Sequence, residues 1–479
     1  MRNSLVSVSL AAAITGLAAF PAAADEESGI RFKGAQAFYE FGSIMKGVEL
    51  STDTITNQWV QRFGGTFDLE ARKGEHLGLY FGTGSIFWHA VPLVVGNSAA
   101  KVFYGDAVLT KAFTQFTFGD REAPSITGKL GFFPVKYGKA RNLGEYLFRT
   151  GTYPGYIVTG NGYTAVNTTS TAVLGTQWNQ RFQNGFSHDL FVTSERQSYP
   201  LHDLSLTYLA QYKGGLLNAG LGAQLDRLLP VKPSITTPTE EKNTWFVYQG
   251  RKIANNPEYY QLLASGATHD GRTADAAKWT AEKALVDSLR LAWDAAPASR
   301  PTLNKYSFQG IKPLAMLSLD FKSLFGEGLF RNDEMLLYAE AALLGWENRP
   351  IYFENRMERV VAMVGFNIPT FGLLDNFNVE VERSTSPYVN GYRNAREGNI
   401  PLPDYNYDQI NGYDPEDWHG DDLKWSVYLG RNIMDGFQVQ AQAASDHLRG
   451  RRYTRVVSEN SLLVDKPDWY YAIKLAVSL

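Results

Sequence analysis

The stretch Trp469-Tyr-Tyr-Ala-Ile-Lys-Leu-Ala-Val-Ser-Leu479 closes the chain. In an extended backbone successive side chains point to opposite faces. Trp469, Tyr471, Ile473, Leu475, Val477 and Leu479 therefore share one face, and Tyr470, Ala472, Lys474, Ala476 and Ser478 share the other. So apolar a face on a sheet edge aggregates in water. In a bilayer, acyl chains solvate it while a lumen solvates the small and polar face. The expectation is an all-β, transmembrane antiparallel β-barrel.

The beginning of the chain points to export. Met1-Arg2-Asn3 is a short basic start, Leu5 to Phe20 an apolar run, and Ala22-Ala23-Ala24 an A-x-A cleavage site. This pattern predicts a signal peptide over 1–24 and a mature barrel over 25–479. No other stretch approaches the roughly 18 apolar residues of a membrane helix. The chain has no cysteine, which removes disulfide frameworks and thiolate chemistry. Its formal net charge of -3 disfavours nucleic acid as a partner. Aromatics make up 13% of residues and glycines number 44. Mean hydropathy is slightly negative, as expected where apolar and polar faces alternate.

Read along the chain, the alternation recurs in sixteen segments. The first, 30–40, changes phase between Phe32 and Ala35, which predicts a bulge. Next, 57–71 sets Phe63, Gly65, Phe67 and Leu69 against Gly64, Thr66, Asp68 and Glu70. Segments around 77–81, 101–118, 125–137, 170–181 and 186–194 follow. The clearest are 203–213 and 216–226, joined by Lys213-Gly214-Gly215. After an insertion come 304–322, 333–345, 357–368, 375–385, 422–432, 436–447 and the terminal strand. The inward face repeatedly carries charge or amides, with Asp68, Glu70, Lys129, Asp320, Glu380, Glu382 and Lys424 as expected pore-lining residues. A sandwich with a dry core could not bury so many.

The connections alternate in length. Compact turns are expected at 72–75, 119–124, 182–185, 213–215, 323–332, 369–374 and 432–435. The longer external loops are expected at about 91–100, 138–169, 195–202, 227–303, 346–356, 386–421 and 448–465. Such alternation is the signature of an outer-membrane barrel.

Two resemblances follow from these residues. The terminal strand, with Trp469 and Tyr471, resembles the signal that delivers outer-membrane barrels to their assembly machinery, although that family ends in Phe or Trp and this chain in Leu479. The strand count and the long third loop resemble general porins, which implies a homotrimer whose third loop folds inward as a constriction. Leu143-Gly-Glu-Tyr-Leu-Phe-Arg149 is also similar to a motif of predicted porins, while the porin signature Pro-Glu-Phe-Gly-Gly is absent. The resemblance implies a constriction in which Lys139, Arg141 and Arg149 face Glu145 and the inner-wall carboxylates across the lumen. The transverse field would sort small hydrophilic solutes by charge and size.

Within 227–303 the apolar positions Ala277, Ala281, Ala284, Leu285, Leu289 and Trp293 predict a helix over 273–293, with ion-pair spacing for Lys278/Glu282 and Lys283/Asp287. Such a helix could plug the lumen or cap the barrel. The acidic run from Asp404 to Asp422 has an oxygen-ligand density that could hold calcium but lacks the EF-hand spacing, so an acidic surface is the expectation, with no metal and no cofactor. The histidines, His76, His89, His188, His202, His269, His419 and His447, are scattered and form no catalytic motif. The leading expectation is a porin in outer-membrane lipid. The alternative is a substrate-specific or hydrophobic-solute transporter with a loop plug.

Overall fold

The structure is a computed structural model that describes residues 29–50, 53–95, 98–119, 124–149, 171–194, 204–229, 244–269, 271–295, 301–305, 310–325, 330, 333–348, 355–384, 423–444 and 469–478. The expected leader 1–24 and the acidic run 404–422 lie outside the described residues. So do the loops expected at 195–202 and 448–465.

The strands are β1 (Gly29–Leu50), β2 (Asp53–Lys73), β3 (Leu77–Val95), β4 (Ser98–Gly119), β5 (Pro124–Val135), β6 (Thr171–Arg181), β7 (Phe186–Ser194), β8 (Leu204–Gly214), β9 (Leu217–Leu229), β10 (Thr244–Tyr248), β11 (Arg251–Ala254), β12 (Thr302–Lys305), β13 (Gly310–Asp320), β14 (Leu336–Leu343), β15 (Val360–Asn367), β16 (Asn376–Ser384), β17 (Leu423–Met434), β18 (Phe437–Ala444) and β19 (Trp469–Ser478). The helices are α1 (Tyr146–Arg149), α2 (Pro257–His269) and α3 (Thr273–Ala295).

Sixteen of the strands form one closed antiparallel barrel, in which β9 pairs directly with β13 and β19 closes on β1. Closure pairs Phe38 with Ala476 and Tyr39 with Leu475, so the terminal strand has no free edge. Closure satisfies every ladder group between strands, which a backbone in lipid requires.

The two faces are inverted relative to a soluble protein. Outward-facing Phe63, Phe67, Leu79, Leu130, Trp178, Leu221 and Val364 are exposed. Inward-facing Glu70, Thr207, Gln224, Lys312, Glu380, Glu382, Lys424 and Ser426 are buried. This assigns the apolar face to lipid. The bulge read at the start of the chain lies between Phe32 and Gly34, where the pairing of β1 with β2 shifts by one residue. Lys33 is the extra residue, and it turns inward to Glu70.

Several boundaries differ from the expectation, beginning with β1, which was read over 30–40 and runs on to Leu50. The strands around the expected loop at 91–100 run on, so β3 ends at Val95 and β4 begins at Ser98. Backbone pairing continues there without the apolar alternation that marked the strand elsewhere. The expected strand 304–322 divides into β12 and β13, because Lys305 pairs with Thr244 of β10 in a separate sheet. That sheet, ordered β11-β10-β12, joins α2 and α3 in a module with its own core of Phe246, Ile253, Tyr259, Tyr260, Val286 and Leu289. Lys283 and Asp287 pair as expected at 3.0 Å, whereas Glu282 pairs with Arg251 instead of Lys278.

Candidate functional site

After Val135 the chain leaves the wall and enters the barrel. Lys136 anchors the entry by donating to the carbonyl of Ala140 at 2.7 Å, and Gln211 on β8 donates to the carbonyl of Tyr137 at 3.2 Å. Gly144 and Glu145 both hold positive φ, 73° and 61°. This left-handed pair turns successive amides outward toward the wall, an arrangement that binds anions. A side chain at Gly144 would press on the ends of Met363 and Glu340 and would hold a φ that favours glycine.

Six consecutive backbone N–H groups, from Arg141 to Tyr146, then donate to three wall carboxylates. Glu380 accepts from Arg141, from Asn142 at 2.9 Å and from Leu143 at 2.9 Å. Glu382 accepts from Gly144 at 3.2 Å. Glu340 accepts from Glu145 at 2.8 Å and from Tyr146 at 2.7 Å. Each acid also receives one tyrosine hydroxyl: Tyr338 on Glu380 at 2.7 Å, Tyr146 on Glu382 at 2.9 Å and Tyr137 on Glu340 at 2.6 Å. Lys312 completes the clasp from β13, donating to the carbonyls of Tyr146 and Leu147 at 2.7 and 3.0 Å. The wall thus offers acids to the loop's donors and a base to its acceptors. Each charge-assisted bond is worth about 1.5 to 3 kcal/mol, and together they offset the desolvation of the acids.

The loop also buries an apolar side. Leu143, Tyr146, Leu147 and Phe148 pack with Phe133, Val173, Phe191, Leu209, Leu314 and Met363. Phe148 meets Phe191 edge to face at 4.9 Å. Sequence reading did not foresee this cluster within the lumen. The available signal was local loss of alternation, at Phe132-Phe133, Leu336-Leu337 and Val360-Val361, where both faces of a strand are apolar.

The expected site residues are distributed as follows. Lys139 is exposed, and the Arg141 guanidinium stacks over Tyr428 at 4.2 Å. Glu145 turns back into its own loop, where it accepts from Gly138 at 3.0 Å. The side chain of Arg149 lies outside the described residues. Glu380 and Glu382 lie directly beneath the loop, and Lys424 sits 3.9 Å from Glu382. Asp68 pairs with Lys111 at 2.9 Å. Glu70 is flanked by Lys33 at 2.6 Å and by Arg72. Lys129 lies over Phe113 and Phe133 at 5.8 and 5.7 Å. Asp320 stands at the end of β13, where it caps a 3-10 turn by accepting from Lys322 at 3.1 Å.

The loop's bonds therefore run to β8, β13, β14, β16 and β17. The inner faces of β2, β4, β18 and β19 keep half-buried polar chains, including Thr66, Gln115, Gln438, Gln440, Gln442 and Lys474. Fold and site together define a closed barrel with an apolar belt, narrowed by one of its own loops. No family model and no curated protein sequence matches the chain. Among solved structures it is similar to Pseudomonas putida OprB at high pH, with 12% identity over 94% of each chain and a TM-score of 0.45. It is also similar to a mutant of Rh. blastica porin, with 9% identity over 94% of this chain and 100% of that one and a TM-score of 0.37. Salmonella typhi OmpF in complex with daunomycin shows 8% identity over 95% and 98% and a TM-score of 0.41.

Proposed function

We propose that the chain is an outer-membrane porin of a Gram-negative-type bacterium, a water-filled channel through which small hydrophilic solutes diffuse, with no cofactor and no catalytic step. The observation that carries this reading is the pairing of an apolar outer belt with a polar lumen that one loop narrows along one side of the wall. A belt of exposed Phe, Leu, Trp and Tyr side chains suits acyl chains as its surroundings. The half-buried glutamines of β18 suit water.

The transporter alternative would use apolar lumen surface to carry its solute. Here the apolar lumen residues are occupied in holding the loop, which favours the wet channel. The same reading makes 1–24 a leader removed on export and β19 the segment recognised by the assembly machinery. It also makes a homotrimer the assembly, with Lys139, Arg141 and Arg149 bordering the constriction while Glu145 is spent inside the loop. Planar-bilayer recording of the refolded chain tests it. Stable conductance steps are expected, and folded protein that gives none would sink the channel reading.

A further inference from the structure

The acids and bases of the lumen are covered unequally. On the loop side Glu340, Glu380 and Glu382 are 4%, 0% and 2% exposed, so their charge is spent on backbone amides and tyrosine hydroxyls. On β1 and β2, near the turn that follows β2, Glu70 is fully buried, while Lys33 and Arg72 beside it remain 49% and 22% exposed. That triad carries one net positive charge, and its exposed side chains are the two bases, the acid being covered. The neighbouring Asp68–Lys111 pair is balanced, at 32% and 25% exposure. From the loop come exposed Lys139 and half-buried Arg141.

We propose that the open lumen selects small anions, with Lys33 and Arg72 as the bases that set this preference from the wall. The proposal rests on the channel reading and names its solute class. Among the described residues, an anion in transit meets bases with donors still turned to water, whereas a cation passing the loop side meets Glu340, Glu380 and Glu382, whose oxygens are already filled. The chain as a whole is net negative, so the preference comes from which charges are covered and not from their number. Inside a barrel, low-dielectric walls focus this field and salt screens it incompletely.

The test is the zero-current potential of the refolded full-length mature chain in a planar bilayer under a potassium chloride gradient, followed by the same gradient of potassium phosphate. A lumen potential of about 0.5 to 1 kT gives a chloride-to-potassium permeability ratio of roughly 3 to 7. Lys33→Gln is expected to lower the ratio toward unity with conductance steps retained. Asp68→Asn, which removes the part-exposed acid, is expected to raise it. Two variants of opposite sign keep the test decisive if one folds poorly. Open channels that prefer potassium, or a ratio unmoved by both substitutions, would overturn the anion preference and leave the channel reading standing. Absence of any conductance from folded protein would overturn both.

Discussion

The carboxylate of Glu380 accepts the backbone N–H of Leu143 at 2.9 Å, although 237 positions of sequence separate the two. The bond sets the register of a loop against a wall strand on another part of the barrel. It also makes a charged wall residue part of the scaffold and withdraws it from the pore surface.

Removing that acceptor should free the loop. Glu380→Ala strands the three buried donors of Arg141, Asn142 and Leu143, at a cost of about 3 to 5 kcal/mol. The expected outcome is a lower heat-denaturation midpoint together with a larger and noisier single-channel conductance. Unchanged values of both would show that the loop is held by its apolar side alone.

Gly365 faces the ring of Tyr338, and a Cβ there would collide with it. Because that ring carries the hydroxyl on Glu380, Gly365→Ala should displace a donor of the clasp as well as strain the wall, costing about 1 to 3 kcal/mol. In a double-mutant cycle with Tyr338→Ala the two losses should be clearly less than additive, since both act through one ring. Additive losses would refute the contact.

Tyr137, just beyond the end of β5, has its hydroxyl pushed well above the ordinary value of 10.0, first by burial and then by the charge of Glu340. A raised value in the folded loop means full stabilisation below about pH 10 and progressive loss as alkali titrates the buried phenol. Unfolding followed against pH should show an alkaline decline that Tyr137→Phe flattens. An identical alkaline limb in the variant would count against the assignment.

The module of β10–β12, α2 and α3 should be dispensable for the barrel. β9 and β13 pair directly from Asp226↔Gly310 to Leu217↔Leu319, so replacing 244–305 by a short linker leaves the wall intact. Shortening a connection changes closure entropy by only about 1 kcal/mol. The barrel should assemble with conductance close to wild type. A large rise in conductance would instead identify the module as a plug.

Much of the architecture could be read in advance because side-chain alternation is a local consequence of strand geometry. Lipid enforces it on every strand that spans the membrane. Phe63, Asp68, Leu221, Glu380 and Lys424 were therefore placed on the correct face from their parity alone. The boundaries that went furthest astray lie at the far ends of β1, β3 and β4 and in the separate sheet of the module, where the apolar alternation fades. α2 was missed altogether, because it is short and its apolar run Tyr259-Tyr-Gln-Leu-Leu-Ala264 is followed by Ser265-Gly266, which reads as a break.

The site itself was legible only in part. The residues of the third loop and the wall acids Glu380 and Glu382 were recognised as important, Glu340 and Lys312 were not singled out, and the loop's inward course was expected from the porin resemblance. Their relationship was expected to be side chain facing side chain across an opening. The structure instead joins wall carboxylates to loop backbone. Any residue but proline supplies an N–H, so nothing in the identities of Arg141, Asn142 or Leu143 encodes that partner. By itself the sequence determined the barrel, its strand number and the inward or outward sense of wall residues wherever the alternation is unbroken, because these follow from a period of two along the chain. Only the tertiary structure decided which lumen charges are covered and which meet water, because that depends on where a loop's backbone dipoles come to rest against strands hundreds of residues away.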